Sequence, residues 1–428
     1  MARSFYTLLI YLLLPLAYLR LRWRARKEPG YGQHISERFG LYDFAASKPV
    51  VWVHAVSVGE TRAAVPLVAA LKAHYPDHQI LITHMTPTGR ATSESLFGDD
   101  VLRCYLPYDA PFAMQRFLAH FQPRLGVIME TEIWPNLIAI AHKKNIPLWL
   151  VNARLSEKSA QRYAHFSSLT ANSLTKLSGI CAQTSTDAAR LTQLGGQHVK
   201  ICGNVKFDMT PPEKMLDLGL ALRERFGKHR LVFLAASTRE GEEELILDAI
   251  GKIQVDGMIA VIVPRHPQRF DAVAALIRKR GFKLQRRSAN ESIDKTTQIV
   301  LGDSMGEMFA YYAACDVAFI GGSLLPLGGQ NLIEACAVGK PVLIGPHTFN
   351  FSEATEQAVE CGAARRVTDA ETLAEEVTTL LTDEEIREEM GIAGLEFSQA
   401  HRGAVEKIIT TVTAHESGKD GQLEYKKH

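Results

Sequence analysis

Hydrophobic positions along this chain follow two rhythms. Short apolar runs alternate with stretches in which apolar residues recur every three or four positions, the signatures of buried strands and of helices. Strands are predicted at 50–53, 79–83, 125–129, 147–151, 179–182 and 199–201. Between the first two, Ala64, Leu67, Val68 and Leu71 stand at i, i+3, i+4 and i+7, and Pro66 inside that pattern predicts a helix start or bend there. Residues 206–229 break the rhythm with Pro211, Pro212 and many charges, and read as a linker. A second set of strands is predicted at 231–235, 258–263, 298–301, 317–320 and 341–344. Alternating strand and helix implies a parallel sheet covered on both faces, and two sets imply two such sheets. Toward the C-terminus, Thr382 and Glu385 have the spacing of a capping box before a helix, and the polar residues from Glu416 onward are expected to fray.

Length and composition agree with two domains. The chain has 428 residues, and single cores stop growing at roughly 250–300. Hydrophobic residues make up 46% and charged residues 22%, a globular composition. The formal net charge of +1 gives no global attraction to nucleic acid, so none is expected as a partner and any anion site must be local. None of the six cysteines stands in Cys-x-x-Cys spacing, which predicts buried free thiols in a reducing compartment.

The N-terminus changes the picture. Residues 5–19 carry no charge, and Arg20, Arg22, Arg24, Arg26 and Lys27 follow at once with Trp23 among them. A helix of that length reaches roughly 22 Å, short of a hydrocarbon core of about 30 Å. It can span if the arginines snorkel, or lie in the interface. A cleaved signal peptide fits poorly, because the basic cluster lies on the wrong side and no small-x-small site follows. The positive-inside rule keeps the remaining chain cytoplasmic. The expected organisation is a membrane anchor with basic flank at 1–27, a first domain at 28–205, a linker at 206–229, a second domain at 230–415 and a polar tail at 416–428.

In open parallel sheets ligands bind beyond the carboxyl ends of strands, and with two such domains the cleft between them is the natural site. That rule selects five loops. After the first strand, Gly59 permits a tight turn and Glu60 falls near a helix start, facing outward; there it either serves chemistry or merely complements the helix dipole, which would lower its pKa. After 125–129 come Glu130, Glu132, Trp134 and Asn136, able to bind a sugar, a cation or a neighbouring arginine. Ser237, Thr238 and Arg239 after 231–235 suit an anion. Pro264, Arg265 and His266 form a stiff turn aimed at the same edge. Most specific is 321–335, where Gly321-Gly322 and Gly328-Gly329 precede Asn331, Leu332, Ile333 and Glu334 on a short helix that stops at Gly339. Glycines let the chain approach a phosphate, the helix start offers amide hydrogens, and Glu334 can accept from ribose hydroxyls. The loop is neither G-x-G-x-x-G nor a P-loop, and the sequence has no Asp-x-Asp metal-diphosphate clamp.

Taken in order, these pieces resemble the GT-B glycosyltransferases, and specifically the bacterial Kdo (3-deoxy-D-manno-oct-2-ulosonic acid) transferase family. The matching motifs are ERFG at 37–40, HAVSVGE at 54–60, METEIWPN at 129–136, NARLS at 152–156, GNVKFD at 203–208, ASTR at 236–239, PRH at 264–266, GDSMGEM at 302–308 and GGQNLIE at 328–334, together with the basic-flanked apolar N-terminus. The resemblance implies an α/β GT-B fold, two Rossmann-like parallel-sheet domains facing across a cleft behind an N-terminal anchor helix at the bacterial inner membrane. It implies a CMP-Kdo donor, a lipid A precursor as acceptor in lipopolysaccharide assembly, inversion at the anomeric carbon, and neither metal nor cofactor. The base would be Glu60. CMP would contact Pro264, Arg265, Met305, Gly306, Glu307, Asn331, Leu332, Ile333 and Glu334. Ser237 and Thr238 stand beside Arg239 in the anion loop. Lys206, Arg239 and Arg154 are alternative partners for the Kdo carboxylate, and Glu130 and Glu132 would order the site or bind acceptor. The rival readings are a GT-B enzyme using a UDP-sugar and a membrane-tethered nucleotide-binding module without catalysis.

Overall fold

Strand sequences such as VVWVH at Val50–His54 and LGVIM at Leu125–Met129 are apolar on both faces, and every residue of both is buried. Only a sheet covered on each side can use such strands. In the computed structural model, which describes residues 2–424, seven strands form the first sheet. They are β1 (Val50–His54), β2 (Gln79–His84), β3 (Leu102–Tyr105), β4 (Leu125–Met129), β5 (Leu148–Ala153), β6 (Gly179–Ala182) and β7 (Val199–Ile201). Their order is β3-β2-β1-β4-β5-β6-β7, all parallel, so the winding reverses between β1 and β4. One face packs on Leu67, Leu71 and Ile408, the other on Met114, Phe117 and Leu137.

The second sheet contains β8 (Val232–Thr238), β9 (Ile259–Pro264), β10 (Leu284–Arg286), β11 (Ile299–Leu301), β12 (Val317–Ile320), β13 (Val342–Ile344) and β14 (Ala364–Arg366). Its order is β10-β11-β9-β8-β12-β13-β14, again all parallel, and the winding reverses between β8 and β12. Strands β3, β10 and β14 were not among those expected; each has only three or four residues, and none is a pure apolar run.

The chain divides into two compact units, Met1–Met209 with Arg402–His428, and Thr210–His401. Three expectations change. The supposed linker at 206–229 contains a helix, Glu213–Phe226, which buries Gly219, Leu222 and Phe226 in the second unit. A Cβ on Gly219 would meet the Ala313 side chain at 2.5 Å, so glycine lets this helix close on Met308–Ala314. Glu213, Lys214, Asp217 and Glu224 stand exposed on it and disguised it.

The second expectation concerns the C-terminus: the second unit stops at His401, not at 415. The helix Ala404–Glu424 belongs to the first unit, where Ala404, Val405, Ile408 and Val412 join its core. Asp208 holds the start of that helix, accepting from Gly403 N and Val405 N at 2.6 Å each. This helix covers much of the expected tail, whose residues 425–428 lie outside the described ones. The third expectation concerns the capping box at Thr382. Asp383 caps Glu384–Ala400 by accepting from Ile386 N (3.1 Å), while the Thr382 hydroxyl donates to Thr378 O (2.8 Å) in the preceding helix. Pro66 does stand in the first turn of a helix, Val65–His74.

The apolar N-terminus forms one helix, Ala2–Arg24, long and apolar enough to cross a membrane by length and composition. Tyr6 OH donates to Asp109 Oδ2 (3.0 Å), Thr7 Oγ1 to Asn136 Oδ1 (2.9 Å), and the Tyr11 ring stacks on Phe112.

Candidate functional site

In the first unit the candidate residues gather at the carboxyl ends of β1, β4 and β5, around the point where the winding reverses. Ser57 caps the helix Val58–Ala63, its hydroxyl oxygen accepting from Glu60 N. The Glu60 side chain folds back over the same turn: Oε2 accepts from Val56 N (2.8 Å) and Oε1 from Ser57 Oγ (2.9 Å). The expected outward-facing carboxylate is therefore partly buried and anchored by its own loop. Its pKa is raised to about 7, foremost by burial and then by the Glu130 charge, with Glu132 adding; the bonds from Val56 and Ser57 oppose the shift. Desolvation beside like charges thus outweighs the helix dipole, opposite to the lowering expected from position alone.

Glu130 follows β4 in a left-handed conformation (φ 57°), and its carboxylate lies 3.6 Å from Lys206 Nζ. Burial raises the pKa of Glu132 as well. Between the two acids, the Thr131 hydroxyl donates to Arg154 O and accepts from Arg154 N (3.2 Å), tying this loop to the one after β5. Asn152 Oδ1 accepts from Val205 N (3.2 Å), which brings the segment with Lys206 to the same place. Glu60, Glu130, Glu132, Arg154 and Lys206 are thus assembled on one edge. His54, at the head of the same motif, is fully buried, bonds Thr83 Oγ1 through Nδ1 (2.8 Å) and has its pKa lowered to about 3, primarily by burial; it is a neutral structural group.

The second unit also brings its candidates to the carboxyl edge. Ser237 takes a left-handed turn (φ 56°) at the end of β8. The Thr238 hydroxyl is spent internally, donating to Glu243 Oε1 (2.9 Å), which also pairs with Arg269 (2.7 Å). Arg265, after β9, donates its amide to Thr238 O (2.9 Å). Burial lowers the pKa of His266, and Arg239, Arg265 and Arg269 lower it further, which registers a locally positive edge. Met305 is exposed beside Gly306 (φ 84°), while Glu307 pairs with Arg287 (3.2 Å) and accepts from Ser304 Oγ (2.6 Å).

The glycine loop differs most from expectation. The amides of Gly322, Ser323 and Leu324 donate to the carboxylate of Glu242, at 2.6, 3.0 and 3.0 Å, and Arg239 N adds a fourth bond at 3.2 Å. An internal anion already fills the nest that the Gly321-Gly322 pair was expected to offer to a phosphate. The segment that follows is also shorter than expected, a single turn at Ile333–Cys336. Leu332 and Ile333 are buried. Asn331 Nδ2 donates to Glu334 Oε1 (3.1 Å), and Asn331 Oδ1 accepts from Ile333 N (3.1 Å). Glu242 was not singled out from the sequence; its place in the first turn of a helix after the first strand of a sheet, like that of Glu60, was the available signal. Among the described residues no group of three His, Cys, Asp or Glu side chains is arranged to hold a metal ion.

Two seven-stranded parallel sheets, each with its polar residues at the carboxyl edge, define the GT-B class of glycosyltransferases. Residues 230–397 match the glycosyl transferases group 1 family, and residues 33–209 match the 3-deoxy-D-manno-octulosonic-acid transferase (kdotransferase) family. The 3-deoxy-D-manno-octulosonic acid transferase of Bordetella pertussis is 43% identical over 96% of this chain and 98% of its own length. That of Haemophilus influenzae is 40% identical over 96% and 97%. A glycosyltransferase structure from Rickettsia africae shares the fold, with a TM-score of 0.59 at 12% identity over 87% of this chain and 98% of that one. The chain belongs to the 3-deoxy-D-manno-octulosonic acid (Kdo) transferase family and is a glycosyltransferase.

Proposed function

We propose that this protein transfers Kdo from CMP-Kdo to a hydroxyl of a lipid A precursor, with inversion and without a metal, on the cytoplasmic side of a bacterial inner membrane. The observation that carries this reading is Glu60. A carboxylate held at the end of β1 by Val56 N and Ser57 Oγ, with its pKa lifted to about 7, is matched to removing a proton near neutral pH. A sugar hydroxyl is a poor nucleophile until its proton begins to leave. As Glu60 takes that proton, the oxygen attacks the anomeric carbon of Kdo from the face opposite the departing CMP, and the configuration inverts.

The leaving group carries one phosphate, so cations and amide hydrogens suffice to stabilise it. Pro264, Arg265, the turn Met305-Gly306-Glu307 and the segment from Asn331 to Glu334 are assigned to CMP, with Leu332 and Ile333 acting through their backbone. Arg239, with Ser237 beside it, supplies positive potential; Thr238 supports that turn. The Kdo carboxylate falls to Lys206, Arg154 or Arg239. Glu130 sets the field at Glu60 and holds Lys206, and Glu132 adds to that field. The basic-flanked apolar helix Ala2–Arg24 supports a position at the membrane, where a lipid acceptor would reside.

Incubating the purified chain with CMP-Kdo and a lipid A precursor tests this. Mass spectrometry should show acceptor gaining Kdo as CMP is released, and no transfer from UDP-sugars. Transfer from a UDP-sugar instead, or CMP binding with no turnover, would overturn the reading.

A further inference from the structure

The N-terminal helix has two faces that its sequence does not distinguish. Tyr6, Thr7, Ile10, Leu14, Ala17 and Leu21 are the covered ones, and they fall on one side at helical spacing. That strip runs about 22 Å. Phe5, Leu8, Leu12, Leu16, Leu19 and Trp23 form the opposite side and are the most exposed, Phe5 by 72% and Leu12 by 65%, while Leu9, Tyr11, Leu13 and Tyr18 on the flanks are exposed by 40–44%. The helix therefore rests on its own globular unit along one side, where only Leu21 is fully buried, while its apolar far side is left bare.

What holds it is polar. Tyr6 bonds the buried Asp109, and Thr7 bonds Asn136. Near its middle, Tyr11 stacks on Phe112, whose other neighbour is the exposed Arg116, 5.3 Å from the ring centroid. A helix gripped in this way cannot cross a bilayer without drawing Asp109, Asn136 and Arg116 toward the hydrocarbon, where such groups are costly. Laid flat, it buries the bare stripe and the apolar flanks beside it, and the exposed Arg20, Arg22, Arg26 and Lys27 meet anionic headgroups.

We infer that Ala2–Arg24 does not span the membrane but lies in the plane of the cytoplasmic leaflet, docked along the first unit, with the Phe5-to-Trp23 stripe in an anionic phospholipid surface. This rests on the membrane reading above and goes further by fixing orientation. Asp109, which Tyr6 holds, also accepts from Asn136 N (2.9 Å) and Leu137 N (2.8 Å) in the first turn of Pro135–Lys143, the helix that follows the Glu130–Trp134 loop. The membrane helix is thus bonded to the scaffold of the carboxylate-bearing loop, and a lipid acceptor is reached sideways from the leaflet.

Thiol labelling of the full-length protein in Gram-negative cells tests the orientation. A membrane-impermeant maleimide is applied to intact spheroplasts and to inverted vesicles, with labelled peptides separated by mass spectrometry. In an Ala2→Cys variant, the introduced thiol and the native exposed Cys361 should both react only in inverted vesicles. Reaction at position 2 but not at Cys361 in intact spheroplasts means a span; it overturns the inference and leaves membrane attachment standing. Recovery of unmodified wild type in the soluble fraction overturns both. A Ser4→Cys variant repeats the measurement if Ala2→Cys is poorly made.

Discussion

The two sheets share a plan and differ in charge at their edges. Each opens with a strand, β1 or β8, followed by a helix with a glutamate in its first turn, Glu60 or Glu242. Glu60 receives one amide and one hydroxyl from its own loop and sits among other acids. Glu242 reaches the loop after β12 and takes four amides. Burial raises the pKa of both carboxyls, but the amides around Glu242 pull against it while Glu130 pushes Glu60 further. The same backbone position thus gives once a carboxylate poised near neutral pH, the base proposed above, and once a clip between loops. What decides is how many donors converge, not the fold.

The sharpest way to break this contrast is Glu60→Gln, which keeps the shape and removes the basicity. Turnover should fall by roughly 10²–10⁴, the range for loss of a general base, with CMP affinity unchanged by calorimetry. Near-normal turnover at saturating donor and acceptor would pass the role to Glu130 or Glu132. Glu242→Ala should instead show a stability defect. Stranding the amides of Gly322, Ser323 and Leu324 should cost on the order of 3 kcal/mol or more, read as a lower midpoint in thermal or urea unfolding. An unchanged midpoint would contradict the clip.

Glu334→Ala separates ligand from fold in the second unit. Losing a charge-assisted bond to the nucleotide should cost about 1.5–3 kcal/mol in CMP affinity, tenfold or more, with little change in melting. The pH response sharpens the contrast again. Because the Glu60 pKa is raised from 4.5 to about 7 in the folded state, its protonated form stabilises the fold below about 4.5, and that contribution is lost as pH rises through about 7. Wild type should therefore lose stability relative to Glu60→Gln between pH 5 and 8, by ~1–2 kcal/mol after allowance for solvent screening. Over the same window its turnover should rise. Parallel melting curves of the two proteins would deny the shift. The smallest effect is expected for Asp208→Ala, which removes the cap of the C-terminal helix at about 1 kcal/mol. Limited proteolysis should then cut near residue 403 first; an unchanged pattern would mean that Asp208 does not secure that helix.

Much of the architecture was legible because strands buried on both faces write themselves as apolar runs; 11 of the 14 strands were located, all but β7, with Lys200 at its centre, being of this kind. Strands β3, β10 and β14 are short and partly polar, with Arg103, Arg286 and Arg366 in them, so periodicity had nothing to register. The candidate site was legible only as loops after strands, which is geometry, and as motifs. Its electrostatics were not. The position of Glu60 predicted a lowered pKa, but desolvation and Glu130, brought close only by the pairing of β1 with β4, reverse the sign. The Gly321-Gly322 pair read as a phosphate cradle because the carboxylate that fills it lies some eighty positions earlier. The C-terminal helix was given to the wrong unit for the same reason: its partner Asp208 is nearly two hundred residues away.

That last contact bears on how the protein is made. The first sheet leaves the ribosome early, yet the helix that covers Leu67, Leu71 and Val205 is synthesised only after all of residues 210–401. The second unit is one unbroken segment and can complete itself during translation; the first cannot. Until residues 404–412 emerge, the first unit lacks the helix that covers this apolar face, and a nascent chain stalled before residue 402 would carry a finished second unit and an unfinished first.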